Sequence, residues 1–309
     1  MGRAPRVIVL GISVLDQVWE VPAIPTEPTK VTAIAQRETG GGMAATAAIA
    51  VAALGGRAAL WGRLGEDWAA GQLAAMLERL GVDVTYLRRF PDARTPVSAV
   101  LVDRAGERLL AVYPGHGLPA DPVWLPLDEV AEAGAVLADC RWPEGALALF
   151  EAARRHGVPS VLDADVLPDP DSLAPLAATA DVAIFSERGL AGFTQMTDPA
   201  AGLARAAEVA PGLVGVTLGA NGFRWREGTH THQIPAFPVG VTDTTGAGDV
   251  FHGAYALALA EGRNKREAAL FASAAAALKC ARGRGWDGLP DRPTVEAMLR
   301  EKCHAAVGR

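Results

Sequence analysis

Short runs of β-branched and apolar residues recur along this chain, and most are separated by a segment long enough to form a helix. That alternation restricts the fold more than any other feature. Strands joined by helical crossovers pair in parallel, and a parallel sheet must be covered on both faces. Residues 7–11, Val-Ile-Val-Leu-Gly, read as a buried first strand ended by glycine. A small-apolar helix is predicted over 43–54, closed by Gly55 and Gly56, and a strand over 58–62. Asp67 caps a helix reaching 80. Further on, strands are predicted over 136–138, 160–162, 182–185 and 213–218. Helices fall between them over 144–156, 172–179 and 199–209, and the last third is helical over 248–261, 265–280 and 294–304. The expected fold class is α/β, with a mainly parallel sheet between two helical layers.

Composition fits one large domain over 1–309. Half of the 309 residues are hydrophobic, enough for a sizeable core. The formal charge of −6, without a long basic run, argues against nucleic acid as a partner. Cys140, Cys280 and Cys303 are scattered and form neither a disulfide framework nor a zinc site. The six histidines lack metal-ligand spacing; His230 and His232 alternate on a strand edge. Residues 1–6 carry no apolar signal segment, and no run reaches the roughly 18 apolar residues of a membrane span. The expectation is a cytoplasmic protein with no membrane partner.

Two regions interrupt the alternation, 16–38 and 95–113. The first contains two extended stretches, 18–21 and 31–36. The second is a hairpin over 97–102 and 108–113, turning at Asp103-Arg104-Ala105-Gly106. Neither has a helical crossover, so both are expected in one small β-sheet set off from the main body. Such a sheet can act as a lid that excludes water from a ligand.

The chemistry is concentrated in Asp243-Thr244-Thr245-Gly246-Ala247-Gly248-Asp249-Val250-Phe251-His252-Gly253. An extended stretch, 233–242, runs into two glycines, an acid and an apolar helix. A turn of this kind points backbone N–H groups at one spot, at the positive end of the helix dipole. That spot suits the charge developing on a transferring phosphoryl group. Asp249 stands beside it, placed to take a proton from an attacking hydroxyl. A P-loop, G-x-x-x-x-G-K-[ST], is absent.

This undecapeptide resembles the C-terminal signature of the ribokinase-like (PfkB) carbohydrate kinases, and the resemblance extends from Val7 to about Leu299. It implies a ribokinase-like three-layer α/β/α core with a β-sheet lid. It also implies an ATP-dependent sugar kinase using Mg²⁺, in which Asp249 is the catalytic base and Gly246, Ala247 and Gly248 form the anion hole. Gly11-Ile12-Ser13-Val14-Leu15-Asp16 resembles the N-terminal motif, which makes Asp16 a sugar ligand. Gly40-Gly41-Gly42-Met43-Ala44-Ala45-Thr46 resembles the first diglycine signature, with Gly41 and Gly42 against the sugar and Thr46 where the family has Asn. Val216-Thr217-Leu218-Gly219-Ala220-Asn221-Gly222 resembles the nucleotide strand and turn, so Thr217, Gly219, Asn221 and Gly222 are implied at ATP. Ser186-Glu187-Arg188-Gly189 falls where the family has Asn-x-x-Glu. Ser186 stands for the Asn, and Glu187 substitutes as the magnesium ligand through water. The segment 271–285 matches the helix and loop bordering adenine, with Lys279 and Gly283 at ATP. In the family a K⁺-like monovalent cation is held there, and this implies Asp243, Thr245, Ala281 and Gly283.

Several segments, including Thr39 to Ala48, Leu137 to Trp142 and Ala277 to Cys280, look closest to the 6-deoxy-6-sulfofructose kinases. A sulfonate is a permanent anion with three acceptors and calls for a cation fork. Lys30 and Arg141 are the cations this resemblance implies. A phosphorylated hexose presents a similar anion. Other sugar kinases, a nucleoside kinase stacking a base on Trp19 or Tyr113, and a catalytically weak sugar-binding protein stay open. The lid's edge strands expose unpaired backbone groups, and relatives often pair them, so a homodimer is expected.

Overall fold

The computed structural model describes residues 4–283 and 285–307, with side chains through residue 301. Met1 to Arg3, Arg284 and the side chain of Cys303 lie outside the described residues. In chain order the strands and helices begin with β1 (Arg6–Leu10), β2 (Val14–Glu20), β3 (Ala35–Gly41), α1 (Met43–Ala53), β4 (Arg57–Gly65) and α2 (Trp68–Arg79). Then come β5 (Leu87–Phe90), β6 (Val97–Val102), β7 (Arg108–Tyr113), β8 (Ala135–Asp139), α3 (Pro143–His156), β9 (Ser160–Ala164) and α4 (Leu173–Thr179). They are followed by β10 (Val182–Ser186), α5 (Glu187–Thr194), α6 (Pro199–Ala206), β11 (Leu213–Thr217), β12 (Phe223–Glu227) and β13 (His230–Ile234). The last three helices are α7 (Ala247–Ala260), α8 (Lys265–Ala281) and α9 (Arg292–Val307).

The main sheet runs β13-β12-β11-β10-β9-β8-β1-β4-β5. From β11 to β5 every pairing is parallel, and β12 and β13 add an antiparallel edge. β8 and β9 are buried along their whole length, as strands covered on both faces must be. The strand period of two divides β1 between the two cores. Val7 and Val9 face the α1, α2, α7 and α8 side, and Ile8 and Leu10 face the α3 to α6 side. The predicted helix starts reflect real caps: Asp67 accepts from the Ala70 amide, and Asn264 and Glu267 form a capping box on α8. The close approach of α7 to α1 depends on Gly253, where an added Cβ would lie 2.4 Å from the Ala47 carbonyl oxygen.

The second sheet runs β3-β2-β6-β7. Its hairpin turns where the sequence predicts, and the Asp103 carboxylate accepts from the amides of Ala105 and Glu107. The first half departs from expectation. The second strand is Ala35–Gly41 rather than 31–36, because all seven residues of β2 pair along it, from Val14 against Gly41 to Glu20 against Ala35. Pro22, Pro25 and Pro28 keep the intervening loop out of the ladder. The extended stretch expected over 233–242 is strand only through Ile234. The short elements α5 and β5 carry no periodicity long enough to read.

Candidate active site

Two cavities share the loop 244–249 as a common wall. One, of about 140 Å³, lies under the small sheet and is lined by Asp16, Gly41, Gly42, Thr46, Gly246 and Asp249. The other, of about 560 Å³, lies over β11 and α8 and is lined by Thr217, Gly219, Gly222, Thr244, Ala247 and Gly248. A cavity of about 880 Å³ near Arg154 and Lys265 contains neither the glycine turn nor Asp249.

The shared loop is set by Gly246, whose φ of 75° is left-handed and caps α7 without a side chain. Fourteen residues of helix follow, and their aligned peptides place partial positive charge at this end. The Ala247 amide donates to the Thr244 carbonyl 3.2 Å away. Among the described residues the amides of Gly246 and Gly248 have no protein acceptor, and Gly246 lines the smaller cavity and Gly248 the larger. Asp249 stands in the first turn of α7, half-buried. Burial, followed by the carboxylates of Asp163, Asp139 and Asp165, raises its pKa well above the usual carboxylate range. Parallel strands end at one edge of the sheet, and that edge gathers Asp139, Asp163 and Asp165. His252, one turn further along α7, has its Nδ1 3.3 Å from Asp163. Burial lowers its pKa to about 4, so the ring is neutral at pH 7.

In the smaller cavity, the Asp16 carboxylate accepts from the Ser98 hydroxyl across the β2–β6 pair. Burial raises its pKa against that bond. The Thr46 hydroxyl accepts from the Trp286 indole N–H at 3.0 Å, so the residue standing for the family's Asn is already engaged. Lys279, expected at ATP, lines this cavity and not the larger one. Asp243 accepts from Arg108 Nη2 at 2.7 Å, which ties β7 of the small sheet to the main body. Burial opposes the charge on Asp243, but the Thr245 amide and hydroxyl and Arg108 outweigh it and hold the pKa at about 2.

Lys30 is exposed on the proline-rich loop before β3 and does not line the cavity. Arg141 is bound to Asp165 at 3.1 Å and to the Val166 carbonyl, where it counterbalances the acidic cluster. Ser186 caps α5 by accepting from the Gly189 amide, and its hydroxyl donates to Asp165. Glu187 and Asn221 line a separate cavity with Arg224 and Gln233. The carbonyl of Ala281 accepts from the Thr242 hydroxyl, and that of Gly283 from Lys279. Three cavity residues carry no signal in the sequence: Arg37, Arg108 and Trp286. Each lies outside the glycine motifs and reaches the site only through strand pairing or the loop after α8.

Comparison with known proteins shows the family. Residues 4–292 match the family model described as pfkB family carbohydrate kinase. A ribokinase of Arabidopsis thaliana is 30% identical over 97% of this chain and 82% of its own length. A structure from Agrobacterium tumefaciens, provisionally named a ribokinase, superposes with a TM-score of 0.92 at 35% identity, covering 98% of this chain and 99% of the other. The Arabidopsis thaliana ribokinase complexed with ribose and ATP superposes with a TM-score of 0.85 at 27% identity, over 96% and 99% of the two chains.

Proposed function

The chain belongs to the pfkB family of carbohydrate kinases and is an ATP-dependent sugar kinase, and from that premise we propose that its acceptor is the primary hydroxyl of a furanose-type sugar bearing a fixed negative charge, with 6-deoxy-6-sulfofructose as the specific candidate. The observation that carries this reading is Arg37. Its guanidinium lines the cavity that also holds Asp16 and Asp249, and among the described residues it makes no hydrogen bond or ion pair. An unpaired guanidinium in a half-buried wall favours an anionic ligand, and its planar fork matches sulfonate or phosphate oxygens. Anion recognition is thereby assigned to Arg37 rather than to Lys30 and Arg141.

In this reading Asp249 takes the proton of the attacking hydroxyl, and its raised pKa brings it closer to the working pH. The amides of Gly246 and Gly248 stabilise charge on the transferring group. Asp16 accepts from two sugar hydroxyls, and Gly41, Gly42 and Thr46 complete the wall. Thr217, Gly219 and Gly222 hold the ATP phosphates. Mg²⁺, when bound, neutralises the β- and γ-phosphates. Among the described residues no three acidic, imidazole or thiol side chains converge to hold a metal. The donor set suits an ion carried in by the nucleotide, and Glu187, which lines the neighbouring cavity that shares Ala220 with the larger one, would meet it only through water. The small sheet serves as the lid, and its edges pair two copies into a homodimer. Among the described residues no helix is long and apolar enough to cross a membrane, and we place the enzyme in the cytoplasm.

A neutral pentose is the second reading, favoured by the likeness to a ribokinase that holds ribose and ATP. ADP release with Mg·ATP across sulfofructose, fructose 6-phosphate, fructose 1-phosphate, fructose, ribose, 2-keto-3-deoxygluconate and adenosine separates the two. Preference for sulfofructose supports the anionic reading. Preference for ribose retains the kinase and removes the role of Arg37. Binding of a panel sugar without turnover would point to a sugar-binding protein.

A further inference from the structure

The family resemblance calls for a monovalent cation beside Asp243, Thr245, Ala281 and Gly283, but two of these, Asp243 and Gly283, already have cations of the chain itself beside them. Lys279, in the last turn of α8, is only 1% exposed. Its ammonium lies 3.8 Å from Asp243 Oδ2 and 3.4 Å from the Gly283 carbonyl oxygen, two of the implied ligands. Arg108 occupies the other carboxylate oxygen, Oδ1, at 2.7 Å. The Ala281 carbonyl is taken by the Thr242 hydroxyl. One carboxylate thus has two cationic neighbours, and a further cation beside it would meet both of these like charges. Oδ2 of Asp243 has no hydrogen bond, so the Lys279 ammonium is the positive group that faces it.

The connection to chemistry is short. Asp243 accepts from the Thr245 amide, and Gly246 follows at once. A charge beneath Asp243 therefore fixes the turn whose amides face the transferring phosphoryl group. We propose that Lys279, assisted by Arg108, is a built-in replacement for the monovalent cation, so that phosphoryl transfer by this chain does not depend on K⁺. Lys279 is then a positioning residue. This inference rests on family membership and not on the identity of the sugar.

Two measurements test it. Crystals of the wild-type protein with Mg²⁺ and a non-hydrolysable ATP analogue, grown in rubidium chloride, are expected to show no anomalous peak beside Asp243. A rubidium peak there overturns the proposal whatever the substrate is. ADP release on the preferred panel sugar should change less than about twofold when KCl is replaced by tetramethylammonium chloride. Lys279→Met should lose at least about tenfold in that salt and recover in part with K⁺ or ammonium, a rescue that a purely structural role does not give. Wild-type turnover that requires K⁺, or Lys279→Met turning over at the wild-type rate without K⁺, would overturn it.

Discussion

Asp249 and Arg37 are the residues at which the proposed chemistry is most exposed to measurement. Asp249→Asn keeps the shape and removes the base, so kcat should fall by at least about 100-fold. The working form is the carboxylate, and its pKa is raised. Activity should therefore rise with pH through a midpoint above the ordinary carboxylate range and fall away on the acid side. A pH profile of kcat/KM that stays flat down to the ordinary range would remove Asp249 from the role. Arg37→Ala should lower kcat/KM for the anionic sugar by about 10- to 100-fold, the worth of one charge-assisted hydrogen bond. The same variant should leave a neutral sugar within a few-fold, and equal losses on both would argue for a structural Arg37.

The contact of α1 with α7 carries the glycine turn, and its geometry is tight at one point. Gly253→Ala would place a Cβ 2.4 Å from the Ala47 carbonyl oxygen, which is backbone and cannot swing away. Alanine is better than glycine in a helix by about 1 kcal/mol. Overpacking of a dense core costs about 1–3 kcal/mol. The overpacking term should win, with a lower urea midpoint for the variant, and a rise in the midpoint would show that the two helices can separate at little cost. The small sheet shows the opposite sensitivity. Its strand positions follow pairing with β2, so the local pattern over 31–36 gave way to a partner offering seven residues. Propensity yields to pairing in strands more readily than in helices because strand bonds are non-local.

Across the whole molecule, the two ends of the small sheet are β3 and β7, both with open edges. On β7 the side chains of Leu109, Leu110, Val112 and Tyr113 are all substantially exposed. Apolar exposure on an open edge strand is what a second copy would cover in the proposed homodimer. Light scattering should give twice the chain mass, and Val112→Asp should shift it toward the monomer. A wild-type monomer mass at working concentration would reject the dimer.

Much of the fold and part of the site follow from local sequence. The α/β alternation, the capped starts of α2 and α8, and the turn that opens α7 depend on residues a few positions apart, and short-range physics suffices for them. The clustering of Asp16, Gly41, Gly42, Thr46 and Asp249 was legible through the resemblance to the carbohydrate kinases, because each falls in one of its motifs. Tertiary structure alone decided the partners of the cations. Arg141 and Lys30 looked free in the sequence, yet one neutralises Asp165 and the other stays on an exposed loop. Lys279 was expected at ATP, and Arg37 and Arg108 carried no signal, yet all three line the smaller cavity. Whether a charge is solvated, paired or held ready for a ligand depends on which distant groups surround it. Arg108 meets its carboxylate partner 135 residues away, and only the closed fold sets that contact.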